Sequence, residues 1–219
     1  MTNNLTCKIV ALAIAGGASL AAGSALANGS DAFNRPTLGA AWITTAGSLS
    51  LSGREIVGTS LSLGYLTRSS ADSAASAVVF LGGTDLEYGA VALGNIAGGS
   101  NAFVKIQAQN GAGTFDHAAF YTGNNGSGTF FTLSSPIPSP AILDVFFCGT
   151  TATMRITSAA GVQSYTNNYG QTFGPGAGVG TFGSVKLDNF IGFRSACTDS
   201  PVVPSASEMP SAVDKSLAQ

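Results

Sequence analysis

Ala102-Phe103-Val104-Lys105-Ile106-Gln107-Ala108-Gln109 and Thr151-Ala152-Thr153-Met154-Arg155-Ile156-Thr157 alternate apolar with polar along most of their length. That spacing is the side-chain period of a β-strand, whose successive residues point to opposite faces. It sets Val104, Ile106 and Ala108 inward and Lys105, Gln107 and Gln109 outward. In the second run Ala152, Met154 and Ile156 face inward, and Thr153, Arg155 and Thr157 outward. Val185 to Phe193 alternates over most of its length. Ala141 to Cys148 is apolar on both faces except at Asp144, the pattern of a central strand. Gly82-Gly83-Thr84-Asp85, Gly98-Gly99-Ser100-Asn101, Asn110-Gly111-Ala112-Gly113 and Asn124-Asn125-Gly126-Ser127 punctuate these runs. Gly and Asn take the positive φ angles of tight turns. No segment after the first 27 residues shows a capped helical period. The chain reads as all-β, an antiparallel two-sheet sandwich or barrel. Pro136-Ile137-Pro138-Ser139-Pro140 reads as a stiff connection between two strands.

The ends differ from this pattern. Lys8, then an apolar run from Ile9 to Ala22, then Ala25-Leu26-Ala27 form an export signal with cleavage expected after Ala27. The run falls short of the ~20 apolar residues of a membrane span. This divides the chain into a signal peptide (1–27), a sandwich domain (28–197) and a patternless Pro/Ser-containing tail expected to be disordered (198–219), and places the mature protein at the cell surface or outside the cell. Of the three cysteines, Cys7 leaves with the signal. Cys148 and Cys197 remain, and an oxidising compartment makes a disulfide between them the simplest expectation; two separate buried thiols are the alternative.

With 9 basic and 11 acidic residues in 219, the chain has a formal net charge of −2 and no basic cluster, which argues against a nucleic-acid partner. One His and three Cys are few ligands for a zinc or iron–sulfur site.

Asp31-Ala32-Phe33-Asn34-Arg35, Leu38-Gly39-Ala40-Ala41-Trp42 and Gly47-Ser48-Leu49-Ser50-Leu51-Ser52-Gly53 resemble the opening of concanavalin A-like (LamG-like) sandwich domains of bacterial exported proteins. Gly178-Val179-Gly180 with Leu187-Asp188-Asn189-Phe190 is similar to their far end, and Gly149 to Ile156 to their late hairpin. The resemblance spans roughly residues 30–194. It implies a jelly roll of two curved antiparallel sheets, often with a sugar chain on the concave face, and a core position for Trp42. It also implies a structural calcium ion joining the first and last strands, for which Asp31 and Asp188 are the candidate ligands. An exposed Asp31 and a capped or salt-bridged Asp188 is the alternative.

Lectins, carbohydrate-binding modules, glucanases and polysaccharide lyases share that fold, and fold alone does not choose among them. The glucanase carboxylate run is missing; Asp85-Leu86-Glu87 is the nearest approach, and its place after a Gly-Gly-Thr turn reads as a solvated loop. The lyase strand motifs are missing too. His117 beside Asp116, with Tyr121 four residues on, is the one local set suited to proton transfer, though a lone His is more often an ordinary strand residue. Sugar sites pair aromatic platforms with amide and charged groups. The candidates for ligand contact are Tyr88, Lys105, Gln107, Tyr121 and Arg155. Three functions follow: a non-catalytic glycan-binding or surface/matrix protein, a polysaccharide lyase or glycoside hydrolase, or an assembly protein with no sugar ligand.

Overall fold

A computed structural model describes residues 27–69, 72–110, 113–123 and 126–194. The signal segment up to Leu26, the tail and Cys197 lie outside the described residues. Fifteen strands occupy the rest: β1 Ala27–Asp31, β2 Trp42–Ala46, β3 Leu49–Ser52, β4 Glu55–Gly58, β5 Ser62–Leu66, β6 Ala74–Phe80, β7 Glu87–Asn95, β8 Ser100–Ala108, β9 Thr114–Thr122, β10 Gly128–Pro138, β11 Ala141–Cys148, β12 Thr151–Ser158, β13 Gly161–Asn168, β14 Ala177–Phe182 and β15 Lys186–Phe193. Among the described residues the only helical turn is a 3-10 turn at Thr67–Ser69, and no helix is long and apolar enough to cross a membrane.

All strand pairs are antiparallel and fall into two sheets. The first runs β13-β12-β11-β6-β15-β4-β3, with β1 added beside β15; the second runs β10-β9-β8-β7-β14-β5-β2. The alternation read from the sequence sorts the side chains between them. Val104, Ile106, Ala118 and Phe120 of the second sheet meet Leu143, Val145, Ala152, Met154 and Ile156 of the first, all buried. Each large side chain removed from water here contributes about 1.5–3 kcal/mol. β11 lies between β6 and β12, as its two apolar faces predict. Trp42 sits in the core, 5.6 Å from Phe33 and 5.3 Å from Phe190 between ring centroids.

One connection differs from its reading. Strand β10 continues through Pro136 and Pro138, leaving Ser139-Pro140 to join it to β11. The strand tolerates proline because it is the edge of its sheet and its pairing to β9 lapses between Thr132 and Ile137. No ladder hydrogen bond is lost at Pro136.

Candidate functional site

Cross-strand partners share a face, so the ladders of the second sheet define rows across its outer surface. One row is Thr132, His117, Gln107, Tyr88 and Phe182. The next is Phe130, Ala119, Lys105, Ala90, Gly180 and Leu63, and a third includes Gly128, Tyr121, Phe103, Ala92, Gly178 and Tyr65. Large aromatic residues therefore border a floor of Ala and Gly. The floor has to be small. A Cβ on Gly180 would stand 2.5 Å from Cε2 of Phe103, whose ring lies over it.

Leu61, Tyr88, Phe103, Lys105, Tyr121, Gly126 and Phe182 line a cleft of ≈ 370 Å³ on this face. Tyr88 stacks on Phe182 at 5.4 Å and 12° and meets Phe103 edge-on. Lys105 Nζ is 4.2 Å from the centroid of Tyr88, 5.4 Å from Tyr121 and 5.6 Å from Phe130. It donates to Gln107 Oε1 at 2.6 Å, and Gln107 Nε2 donates to Gln109 Oε1 at 2.8 Å. Burial pushes the Lys105 ammonium down to about 8, while the ring faces favour its charged form. Burial, and then the neighbouring Tyr121, push the Tyr88 phenol up to about 12.

His117 lies at one end of this surface. Its ring stacks on Phe130 at 4.9 Å, Nε2 is 3.2 Å from Thr132 Oγ1, and Nδ1 is 3.0 Å from Asp116 Oδ1. Burial works to raise the Asp116 carboxyl. Hydrogen bonds from the Gln109 N–H, His117 and Asn110 outweigh it and hold that carboxyl below its ordinary value. His117 and Tyr121 do share a face, but four residues along a strand separate their backbones by about 13 Å. They are not a pair around one reacting atom.

Four of the five residues proposed for ligand contact thus meet on this surface. Tyr88 and Gln107 are more deeply set than outward positions suggest, both buried beneath neighbouring side chains. The fifth, Arg155, is elsewhere. It lies in β12 of the other sheet, on the face opposite Met154, and its Nε donates to buried Asp144 at 3.0 Å. Alternation told which way Arg155 points from its own strand, not which sheet that strand joins. Phe103, Phe130 and Phe182 were missed. Phe103 alternates with Val104, and Phe182 is two positions from Gly180, so period 2 already carried the signal.

Glu87 is not in a solvated loop. It is fully buried and accepts five hydrogen bonds: from the N–H groups of Gly82, Gly83 and Thr84, and from the hydroxyls of Thr84 and Ser184. Its carboxylate closes two turns and offers nothing to a substrate.

The first and last strands do meet: β1 pairs with β15, placing Asp31 opposite Phe190. The Asp31 carboxylate does not fit a calcium ligand. Oδ1 accepts from the Phe33 N–H at 2.8 Å and Arg35 Nη1 at 2.6 Å, and Oδ2 from Arg35 Nη2 at 2.6 Å and Trp42 Nε1 at 2.7 Å. A guanidinium holds the bidentate position that a cation would need. The salt bridge therefore falls on buried Asp31. Burial acts to raise that carboxyl, but bonds from Arg35, Trp42 and Phe33 hold it below its usual range. Asp188 is buried as well and accepts from the Asn189 N–H at 2.8 Å, capping a bulge where Asn189 has φ 50°. Among the described residues no group of three or more His, Cys, Asp or Glu gathers to hold a metal.

Solved structures with the same architecture are numerous. The Bacteroides ovatus protein described as xyloglucan PUL GH43B is similar over 76 % of this chain, at 17 % identity and a TM-score of 0.53; the match covers 39 % of that protein. For the Bacillus licheniformis β-glucanase the figures are 76 % of this chain, 97 % of that one, 10 % identity and a TM-score of 0.53. For the lectin UEA-II, solved with galactose, they are 78 %, 99 %, 13 % and 0.51. The fold is the concanavalin A-like jelly roll. No family model and no curated protein matches the chain.

Proposed function

We propose that the protein is an exported, non-catalytic glycan-binding protein, acting at the cell surface or in the surrounding matrix, and that the outer face of the seven-stranded sheet is its binding surface. The observation that carries this reading is the aromatic-bordered cleft, with the Lys105 ammonium in its lining and Gln107 holding that ammonium from beneath. Aromatic faces suit the apolar face of a sugar ring, and amide and ammonium groups suit its hydroxyls. The cleft volume falls within the about 300–1,000 Å³ of small-ligand sites. That concanavalin A-like relatives include a lectin solved with galactose supports the same reading.

Non-catalytic action is favoured by the chemistry of the lining. Retaining glycosidases need two carboxyl groups about 5–5.5 Å apart, and the cleft is lined by none. Binding to a polysaccharide panel, with reducing-end and unsaturated-product assays on the same mixtures, tests the proposal. Binding without product is expected, weakened about tenfold by Tyr121→Ala. Binding to no polysaccharide, or product formation, overturns it.

A further inference from the structure

Three cations of the described residues end on carboxylates: Arg35 on Asp31 at 2.6 Å, Arg155 on Asp144 at 3.0 Å and Lys186 on Glu55 at 2.9 Å. Lys105 is half-buried and meets neutral groups: Gln107 and the rings of Tyr88, Tyr121 and Phe130. No acidic side chain lines the cleft. Asp116, on the neighbouring strand, is engaged by the Gln109 N–H, Asn110 Nδ2 and His117.

An ammonium has three N–H donors, and one is satisfied by Gln107. Ring faces attract the charge but offer no lone pair comparable to an oxygen's. A charge taken partly out of water without a counter-ion is costly, and an incoming anion repays that cost with charge-assisted hydrogen bonds. A neutral hydroxyl repays less. Aromatic walls around the amine leave room for a sugar ring beside the anion. The chain as a whole carries a net charge of −2 and does not attract polyanions generally.

We propose that the cleft selects an acidic saccharide, a sugar unit bearing a carboxylate or a sulfate ester, and that Lys105 binds the anion. The proposal rests on the glycan reading above and narrows it. The full chain is titrated against three matched sets of oligosaccharides: uronate-containing, sulfated and neutral. One acidic set is expected to bind about tenfold or more tightly than the neutral set; whichever set does so tells carboxylate from sulfate. Lys105→Met is expected to abolish that preference, and Lys105→Arg to keep it. Arg68→Met, which removes an exposed cation bonded to the Ser30 carbonyl, is expected to change nothing. Near-UV circular dichroism shows whether each variant retains its packing. If Lys105→Met fails to fold, the wild-type ratio and the Lys105→Arg result decide. Equal binding of neutral and acidic sets overturns this inference and leaves the glycan reading standing. An acidic preference that survives folded Lys105→Met overturns the role of Lys105. Binding of no set overturns both readings.

Discussion

Replacing Glu87 by Gln changes one atom of a buried carboxylate and is expected to destabilise the domain by about 2–4 kcal/mol. The magnitude follows from the donors around it. Oε1 accepts from the Gly83 and Thr84 N–H groups, and Oε2 from the Gly82 N–H and the Thr84 and Ser184 hydroxyls. A glutamine amide has one oxygen and one NH₂. With its oxygen at the Oε1 position, the NH₂ confronts the Gly82 N–H. The hydroxyls can rotate to accept, but the backbone donor cannot. Flipping the amide orphans two backbone donors instead. One orphaned buried N–H costs about 1–3 kcal/mol, and the surviving bonds fall from charge-assisted to neutral strength. For a domain of this size the loss corresponds to a fall in Tm of about 5–12 °C. Urea and thermal unfolding of the two proteins, followed by circular dichroism, give the difference. A change below about 0.5 kcal/mol, the range of surface substitutions, would refute the reasoning.

Three further outcomes are expected, each with its own readout. The Asp31 carboxyl is held below its unfolded value of 3.8, so the stability it confers is present above that pH and disappears as pH falls through the folded value; acid unfolding curves of Asp31→Asn should be flatter than wild type below about pH 4. Arg155→Ala leaves Asp144 buried without its guanidinium and should cost about 2–3 kcal/mol near neutrality in urea melts, with recovery on adding Asp144→Asn; the Asp144 carboxyl is already raised, by burial against the opposing bonds from Ser76 and Arg155, so this cost should shrink in acid. Lys105 ionises at about 8 in the fold against 10.5 unfolded, a penalty that is complete below 8 and relieved as pH rises towards 10.5; stability of wild type relative to Lys105→Met should therefore climb over that interval, whatever constant offset the substitution brings.

The sheets were legible because alternation is local. Val104 and Ile106, or Met154 and Ile156, declare an inward face from their own strand, and the fold buries all four. What joins distant segments was not. Glu87 is surrounded by a turn five residues upstream and by Ser184, which lies 97 positions away, and nothing in Asp85-Leu86-Glu87 announces that partner. Arg155 reads as outward and is outward, yet its sheet is decided by strand pairing across the whole chain. Asp31 and Asp188 reach neighbouring strands as the family pattern implies, but Arg35, four residues after Asp31, already occupies the carboxylate. Pro136 reads as a break because proline cannot donate to a ladder; its strand is an edge, where that deficiency is harmless. The expected Cys148–Cys197 bridge involves a residue outside those described.

The candidate surface treats its Lys105 charge differently from the buried carboxylates of the domain, and the proposed binding role rests on that difference. Two buried carboxylates elsewhere are surrounded by donors: Glu87 by five, Asp31 by a guanidinium and two N–H groups. A sheet face built only for stability would place Met or Leu at position 105, since the stem packs equally well and the charge is spared desolvation. Instead the fold narrows its floor to Ala90, Gly180 and Ala119 beneath the aromatic side chains and sets an ammonium among three rings without an acidic partner among the described contacts. Burial costs such a group part of its hydration, and an anion bound beside it would offset that cost. A local rule set aside at one place and obeyed around it is what the proposed binding role requires of this face.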